Sequence, residues 1–270
     1  MPVGEGKENE MDQTERRAHL IEALLGEQPG HGAGMTIPQE PSQQRRLLRG
    51  LLNVRPPKPA SQAFLRVQDD YLREELAKKG VTDAETLTDM QEGLCLWRGD
   101  ITTLRCEAIV NAANSALLGC FCPNHGCIDN AIHTYAGVQL RLACRALMDA
   151  QGHEEPAGQA KLTPAFNLPS RYVLHTVGPM VGRRAMPRDR ELLASCYRAC
   201  LDLADEKGLR TMAFCCIATG EFGFPNAPAA EIAVKTVCAH EAVRQKRIRV
   251  IFNVFKEQDE ILYRRMLRAD

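Results

Sequence analysis

Aromatic side chains, net charge and long apolar runs are all scarce in this chain of 270 residues. Aromatic residues make up 5% of it, and the formal net charge at pH 7 is +0. A neutral chain without a basic, aromatic-rich strand lacks the usual surface for binding nucleic acid. No apolar run approaches the roughly 20 residues that cross a bilayer. The sequence therefore predicts neither a nucleic-acid partner nor a membrane partner.

The polar amino terminus also lacks the apolar core of a secretory signal peptide, so we expect a cytoplasmic protein. Cysteine, in contrast, is plentiful, with eleven residues. A chain of this size with 44% hydrophobic residues does not need a disulfide framework. Most of the cysteines lie in apolar or helical contexts and are typical of small core residues. These are Cys95, Cys144, Cys196, Cys200, Cys215, Cys216 and Cys238.

One loop concentrates thiols and an imidazole, in the sequence Gly-Cys-Phe-Cys-Pro-Asn-His-Gly-Cys-Ile-Asp-Asn at residues 119–130. We call this segment the metal loop. Thiolates and neutral imidazole are ligands that suit zinc. The spacing differs from that of a zinc finger, and a compact loop can leave one coordination position open, as catalytic zinc sites do. We predict that Cys120, His125 and Cys127 bind Zn²⁺. Two alternatives are a closed structural site that includes Cys122 and a loop without metal.

The first 90 residues are polar and helical in pattern, without strand-like apolar runs. We expect residues 1–13 to be disordered and residues 26–41, rich in Gly and Pro, to form a linker. Apolar residues recur at helical spacing over 61–79, and Gly80 is placed to end that helix. Residues 1–90 are thus predicted to be a small helical N-terminal region. It either covers a cleft or is a stabilising appendage.

From about residue 93, short β-branched or apolar runs alternate with amphipathic helices. Strands are predicted at 94–97, 108–111, 172–177, 212–217 and 248–255. One helix is predicted across 132–147, another across 192–203, and a third with Asn226 as its N-cap. Such alternation indicates an α/β fold with a sheet between helical layers. Ligands of such folds bind in loops that follow strands, so we expect the metal loop and residues 218–225 to share one cleft.

Four segments together resemble a macrodomain, the fold that binds ADP-ribose. They are Gly99-Asp100-Ile101-Thr102, Asn111-Ala112-Ala113-Asn114, the helix start at 128–133, and Ala218-Thr219-Gly220-Glu221-Phe222-Gly223-Phe224-Pro225. Each alone is a weak signal, but all four occur in the family order over residues 91–268. The resemblance implies a three-layer α/β/α macrodomain with a mixed central sheet.

Where ordinary macrodomains carry a glycine run, this chain carries the metal loop. That loop is similar to the signature of the zinc-dependent macrodomain branch, Gly-Cys-Phe-x-Pro-x-His-x-Cys-Ile-Asp-Asn, at every fixed position. The resemblance implies an enzyme that removes mono-ADP-ribose from modified proteins by hydrolysis at the anomeric carbon of the distal ribose. It also implies acidic acceptor side chains, and as substrate a lipoyl-carrier protein modified by a sirtuin-like transferase, with ADP-ribose as product.

The residue types fit an ADP-ribose site. Asp100 suits the exocyclic amine of adenine, and Ile101 offers a backbone N–H and an apolar wall. Asp100 is alternatively a turn or capping residue. Asn111 and Asn114 carry the donors and acceptors that sugar hydroxyls require, although either is alternatively an Asx-turn residue. Phe255 is a candidate for stacking on adenine, or else a core residue.

The glycine-bearing loop at 219–224 can bring its backbone amides close to a diphosphate. The residues expected there are Thr219, Gly220, Glu221, Phe222, Gly223 and Phe224, with Phe224 beside the distal ribose. The ligand site is further predicted to include Cys120, Ile128, Asp129 and Asn130.

Asn114 and Asp129 are the predicted catalytic residues. Asn114 orients the ribose, and Asp129 either positions water or only caps its helix. His133 is expected to be structural. Two rival functions are a non-catalytic ADP-ribose reader with a structural zinc and a nucleic-acid-binding module that zinc stabilises.

Overall fold

Three helices at the amino end pack around an apolar core of their own in the computed structural model, which describes residues 11–28, 36–182 and 184–268. We call them the N-terminal unit: α1 (Gln13–Gly26), α2 (Pro41–Val54) and α3 (Gln62–Lys79). Their shared core contains Leu20, Ile21, Leu24, Leu48, Leu52, Phe64 and Leu72. The predicted helix at 61–79 is therefore present, with Ser61 as its N-cap and Gly80 at its end with φ +83°.

The amino-terminal predictions have mixed outcomes. Residues 1–10 of the expected disordered segment and 29–35 of the expected linker lie outside the described residues. Residues 12–13 are ordered, because the Asp12 side chain caps α1 and accepts hydrogen bonds from two backbone N–H groups. Residues 82–90 were predicted to belong to the helical region, but apart from a short 3₁₀ turn at Ala84–Thr86 they contribute to two short strands, β1 (Thr82–Asp83) and β2 (Asp89–Gln91).

A mixed seven-stranded sheet forms the centre of the second apolar core in the described chain. Its further strands are β3 (Leu94–Arg98), β5 (Ala108–Ala113), β6 (Ala160–Pro164), β7 (Tyr172–Val177), β8 (Thr211–Phe214) and β9 (Arg249–Val254). The strand order is β2-β3-β9-β8-β5-β7-β6, in which β2 and β6 are antiparallel edges and the inner pairs are parallel. Strand β1 pairs separately with β4 (Leu104–Arg105).

Helices cover the sheet in two layers. They are α4 (Ile128–Ala136), α5 (Val138–Gln151), α6 (Pro187–Glu206), α7 (Asn226–Ala239), α8 (Glu241–Arg244) and α9 (Glu257–Met266). Helix α4 packs on α5, whereas α6, α7 and α9 pack in succession on one another. The predicted α/β class with a mixed central sheet and helical layers is confirmed. None of the described helices has the length and apolar content needed to cross a membrane.

Two details of the predicted helices are wrong. The helix expected across 132–147 is interrupted at Gly137, which has φ +94° and separates α4 from α5. An added Cβ there would lie 2.6 Å from the Gln68 and Gln139 side chains, so the close packing also requires glycine. Asn226 does not cap α7; Pro225 holds the N-cap position, and the Asn226 amide donates to Asp259.

The sheet topology determines where the two predicted loops lie. Strands β5 and β8 are parallel neighbours, so their carboxyl ends meet at one edge of the sheet. The chain leaves β5 through Asn114 and the metal loop before it enters α4. It leaves β8 through residues 218–225 before it enters α7. The fold therefore places both segments at the same edge.

Candidate functional site

The three predicted zinc ligands converge. The ligand atoms of Cys120, His125 and Cys127 all lie within 4.8 Å of one another, and the three residues are half-buried. Cys120 Sγ is 3.6 Å from His125 Nδ1. In a tetrahedral site with Zn–S of about 2.3 Å and Zn–N of about 2.0 Å, sulfur and nitrogen are about 3.5 Å apart. The donor set and its spacing therefore fit a zinc ion.

Cys122, the alternative fourth ligand, lies apart from this group. Its side chain is exposed, and its sulfur does not belong to the cluster of ligand atoms. The Cys122 carbonyl accepts a hydrogen bond from the His125 N–H at 3.2 Å, which closes a tight turn between the two residues. This turn brings the imidazole toward Cys120 while Cys122 faces solvent.

Cys127 joins the metal loop to helix α4. It is the N-cap of that helix, and its sulfur accepts a hydrogen bond from the Asn130 N–H at 3.4 Å. Burial raises the pKa of the Cys127 thiol to about 12, and the neighbouring Cys120 acts in the same direction. Proton loss near neutral pH therefore requires a cation beside the sulfur, as is usual for thiolate ligands. The helix dipole also favours negative charge at this position.

His125 connects the two loops at the sheet edge. Its Nε2 lies 3.5 Å from Glu221 Oε1, on the opposite side of the ring from the nitrogen that faces Cys120. A carboxylate at the distal nitrogen of a ligating histidine fixes the tautomer and the orientation of the ring. Glu221, predicted as part of the diphosphate loop, thus contacts the metal loop with a side chain that is 70% exposed.

Asp129 is a buried carboxylate in the first turn of α4. Its Oδ1 accepts a hydrogen bond from Asn111 Nδ2 at 2.8 Å, and its Oδ2 accepts one from Asn114 Nδ2 at 3.4 Å. Burial raises its pKa to about 6. The alternative that Asp129 only caps its helix is not what the structure shows, because the Cys127 side chain caps α4. The catalytic role of Asp129 stays a prediction.

The two asparagines occupy different depths. Asn111 is fully buried on β5, and its amide nitrogen contacts Asp129 and His175. It therefore holds Asp129 in place and is not itself exposed to a ligand. Asn114 is half-buried. Its Oδ1 accepts a hydrogen bond from the Ala116 N–H at 3.1 Å, which is the Asx-turn interaction given above as the alternative role of this residue. Its Nδ2 also donates to the Gly119 carbonyl at 3.0 Å.

The loop at 218–225 presents backbone donors. Among the described residues, the N–H groups of Gly220, Glu221 and Phe222 have no hydrogen-bond acceptor. The turn is closed by Phe224 N–H donating to the Ala218 carbonyl at 2.9 Å. Ala218 and Gly223 have φ of +64° and +68°, the left-handed conformation that curls the chain around these donors. An anion such as a diphosphate fits this arrangement.

The two predicted aromatic contacts differ in exposure. Phe255 follows β9 and is 76% exposed, so it is not a core residue and its ring is free to stack on a ligand. Phe224 is 1% exposed and belongs to the main apolar core. The structure therefore gives Phe224 a packing role, and its ring does not line an open surface.

Asp100 is already engaged by the protein. Its Oδ1 accepts from the Thr102 N–H at 3.0 Å and caps a short 3₁₀ turn that contains the buried Ile101. Its Oδ2 accepts from Lys79 Nζ at 3.0 Å. Asp100 is thus a capping residue, which was the alternative to a ligand contact. An adenine amine that binds at Asp100 would share its Oδ2 with Lys79.

Comparison with known proteins decides the family. Residues 110–233 match the sequence model of the Macro domain. The protein-ADP-ribose hydrolase of Treponema medium is 53% identical over 261 residues, which are 95% of this chain and 100% of that relative. This chain belongs to the macrodomain family.

Two further relatives agree with this assignment. The protein-ADP-ribose hydrolase of Staphylococcus aureus strain MRSA252 is 48% identical over 226 residues, 83% of this macrodomain protein and 85% of the relative. The crystal structure of the Trypanosoma brucei macrodomain in complex with ADP-ribose superposes with a TM-score of 0.60 and 29% identity. That match covers 84% of this chain and 96% of the other.

The macrodomain core holds a second group of ligand-type side chains. Atoms of His133, Cys144 and His175 also lie within 4.8 Å of one another, and all three residues are buried. His175 Nδ1 is 3.2 Å from the Asn111 amide nitrogen, which can only donate, so the His175 proton resides on Nε2, 2.9 Å from Thr163 Oγ1. Both His175 nitrogens are thus used, and its lone pair is not open to a metal.

His133 behaves as a structural residue. Burial lowers its pKa well below the ordinary value, so the ring is neutral. Neither ring nitrogen has a hydrogen-bond partner in the described chain, and the Asp129 carboxylate is 3.6 Å from Nε2. The ring packs on Gly119, where an added Cβ would lie 2.7 Å from it. Gly119 therefore allows the metal loop to pass directly over α4.

Two side chains that contact the metal loop from outside were not predicted from the sequence. Arg49 and Asn53, both on α2, contact the loop and the start of α4. Their partners lie between 71 and 81 residues away in the chain. Neither residue belongs to a motif, so no local signal identifies them.

Proposed function

We propose that this macrodomain protein is a zinc-dependent protein-ADP-ribose hydrolase that removes mono-ADP-ribose from protein side chains by cleaving the bond at the anomeric carbon of the distal ribose. The prediction that the chain is a hydrolase is confirmed by relatives named protein-ADP-ribose hydrolase at 53% and 48% identity. The relative from T. brucei, which was crystallised with ADP-ribose, supports the ligand class.

The observation that carries the proposal is the convergence of the metal loop with Asn114 and Asp129 at one edge of the sheet. Cys120, His125 and Cys127 lie close together at the start of α4. Cys127 is the N-cap of this helix, and Asp129 belongs to its first turn. Asn114 links Asp129 to the Gly119 carbonyl at the entry of the loop. A metal held here lies beside the groups predicted to bind the distal ribose.

Cys120, His125 and Cys127 would hold the zinc ion and leave a position open. When bound, zinc supplies Lewis-acid chemistry to an oxygen of the sugar or of water. Asn114 orients the distal ribose through its amide, and Asp129 positions the attacking water. Hydrogen bonds from Asn111 and Asn114 fix the Asp129 carboxylate for this purpose.

The rest of ADP-ribose is assigned along the same edge. The N–H groups of Gly220, Glu221 and Phe222, which have no acceptor within the described chain, and the amino end of α4 bind the diphosphate. Phe255 stacks on the adenine, and Asp100 accepts from its exocyclic amine. Ile128 borders the diphosphate at the start of α4, whereas the predicted contact of Asn130 is not kept, because its side chain is fully buried and donates to the Cys122 carbonyl.

The finer identity of the substrate rests on the resemblance of the metal loop to the zinc-dependent branch. We infer acidic acceptor side chains, a lipoyl-carrier protein modified by a sirtuin-like transferase as substrate, and a cytoplasmic location. These assignments are tested by presenting the enzyme with acceptors modified on acidic or on other side chains and comparing rates of release.

The central test follows release of ADP-ribose from a mono-ADP-ribosylated acceptor. We expect Cys127→Ala to release it at least about 100-fold more slowly than wild type, because the metal is lost. Cys238→Ala, which changes a half-buried cysteine on α7, is the matched control and should retain the wild-type rate. If zinc-loaded wild type binds the ADP-ribosylated acceptor but does not cleave ADP-ribose from it, the protein is a reader and not a hydrolase.

The three-ligand assignment has its own test. Zinc content after dialysis should be one equivalent for wild type and for Cys122→Ser, because the Cys122 side chain is exposed and outside the ligand group. Loss of stoichiometric zinc in Cys122→Ser would establish the closed four-ligand site and remove the open position that catalysis requires.

A further inference from the structure

We propose that helix α2 of the N-terminal unit positions the metal loop, and that Arg49 and Asn53 are the residues that hold the loop in its ligand-binding shape. This inference rests on the proposed function, since it assigns a role toward the same zinc site. It replaces the two earlier alternatives for the N-terminal unit, a cover or a passive appendage, with a specific positioning role.

Arg49 joins a ligand residue to helix α4. Its Nη2 donates to the backbone carbonyl of His125 at 3.0 Å and to Asn130 Oδ1 at 2.8 Å. Its Nε also donates to Asn130 Oδ1, at 3.3 Å. A planar guanidinium that spans two acceptors fixes their relative position more strictly than a single hydrogen bond does. The guanidinium therefore sets where the His125 backbone lies relative to α4.

Asn130 extends this connection into the loop. It is fully buried, and its Nδ2 donates to the Cys122 carbonyl at 3.0 Å and to the Cys120 carbonyl at 3.5 Å. The amide can offer these donors to the loop only while its oxygen faces the other way, toward Arg49. Arg49 thus fixes the orientation of an amide that holds the carbonyl of a second ligand residue, Cys120.

Asn53 holds the centre of the loop from the same helix. The Asn124 N–H donates to Asn53 Oδ1 at 2.9 Å, and Asn53 Nδ2 donates to Thr134 Oγ1 at 2.9 Å. Asn53 is 1% exposed, so these bonds are shielded from water. Asn124 has φ +57°, a conformation disfavoured for most side chains. The bond from Asn53 stabilises the loop at this turn, next to His125.

Helix α2 is itself fixed, as a positioning element must be. Leu48 and Leu52 are buried in the core of the N-terminal unit. The Leu52 carbonyl accepts a hydrogen bond from Arg141 Nη1 on α5 at 3.2 Å, which connects the end of α2 to the macrodomain. At Gly50 an added Cβ would lie 3.1 Å from Asn124 Nδ2, so the glycine permits the close approach of helix and loop.

The test measures zinc binding to the full chain. Arg49→Met removes the guanidinium and keeps most of the apolar stem, whereas Arg46→Met changes an exposed arginine on the same helix and serves as control. Partners of the ligands affect metal affinity by about 10- to 100-fold. We expect about 10-fold weaker zinc binding by Arg49→Met, measured against a competing chelator, and wild-type binding by Arg46→Met. Asn53→Ala should also bind zinc more weakly.

Cobalt absorption separates positioning from general stability. With Co²⁺ in place of zinc, the visible bands report ligand geometry, and they should change in Arg49→Met but not in Arg46→Met. Thermal unfolding in excess chelator shows whether the variants are folded. If Arg49→Met does not fold, Arg49→Lys is measured by the same titration. This variant keeps the positive charge but lacks the planar guanidinium that spans two acceptors, so it should bind zinc more weakly than wild type.

The outcomes of the two proposals are distinguishable. If folded Arg49 and Asn53 variants bind zinc as tightly as Arg46→Met, with unchanged cobalt spectra, the positioning role is wrong while the proposed function stands. If wild type takes up no zinc, both proposals fail. If wild type takes up zinc and the variants lose affinity but no ADP-ribose is released, the positioning role stands and the proposed function fails.

Discussion

Two clusters of histidine and cysteine, close in the fold, use the same residue types in opposite ways. In the metal loop, Cys120, His125 and Cys127 are half-buried, and their ligand atoms face one another. Beneath them, His175 has both nitrogens occupied by Thr163 and Asn111, and burial lowers its pKa to about 3. Solvent access, and at His175 the existing hydrogen bonds, therefore distinguish the predicted metal site from the buried cluster, although the residue types are the same.

The largest expected effect separates the clusters by their response to loss of one thiol. Cys120→Ala should weaken zinc binding by at least about 100-fold, because it leaves two ligands from the chain. Cys144→Ala, its matched change in the buried cluster, should keep one zinc and lose only about 1 kcal/mol of folding free energy. Metal analysis and chemical denaturation measure the two quantities. Equal loss of zinc in both variants would mean that the buried cluster also holds metal.

A second prediction concerns pH. Burial lowers the pKa of His175 in the folded state to about 3, from an ordinary value of 6.5, so between these pH values the unfolded chain binds a proton that the native state does not. The contribution to stability is complete above about pH 6.5 and is lost as the pH falls toward 3. Relative to His175→Gln, the unfolding free energy of wild type should therefore decrease by about 1.4 kcal/mol per pH unit in this window.

Denaturation of both proteins at several pH values between 6.5 and 4, with chelator present, measures this difference. His19→Gln is a suitable control, because it removes a histidine of α1 outside both clusters. Parallel pH dependences of wild type and His175→Gln would show that the buried ring accepts a proton in the native state, and the contrast between the clusters would weaken.

The smallest expected effect is on the outer partner of the metal loop. Glu221→Gln keeps the shape of the side chain but removes the charge that faces His125 Nε2 at 3.5 Å. Because the carboxylate is 70% exposed, water screens the contact, and we expect only about 3-fold weaker zinc binding. Glu231→Gln on α7 is the control. A loss as large as that of Cys120→Ala would make Glu221 a ligand itself.

The sequence was most informative where chemistry is local. The predicted zinc ligands lie within eight residues of one another, so their types and spacing alone predicted the group that the structure brings together. The five predicted strands are present because buried parallel strands are continuous apolar runs. The edge strands β2 and β6 were missed, since short and partly exposed strands lack such runs.

Other features depended on contacts between distant parts of the chain. The apolar stripe from Ile132 to Leu147 continues across Gly137, so periodicity alone could not reveal the break between α4 and α5. The exposure of Phe255 and the burial of Phe224 depend on neighbours that packing alone determines. Arg49 is an unremarkable basic residue on a helix until α2 packs beside the metal loop.

The ion pair between Lys79 and Asp100 gives the N-terminal unit a second connection to the predicted ligand site. Helix α3 supplies this cation, just as α2 supplies the side chains beside the metal loop. A shortened protein that begins at residue 91 would thus lose both the counter-ion of one predicted adenine contact and the side chains of α2 that hold the metal loop. Its affinities for nucleotide and for metal would describe a different molecule from the full chain.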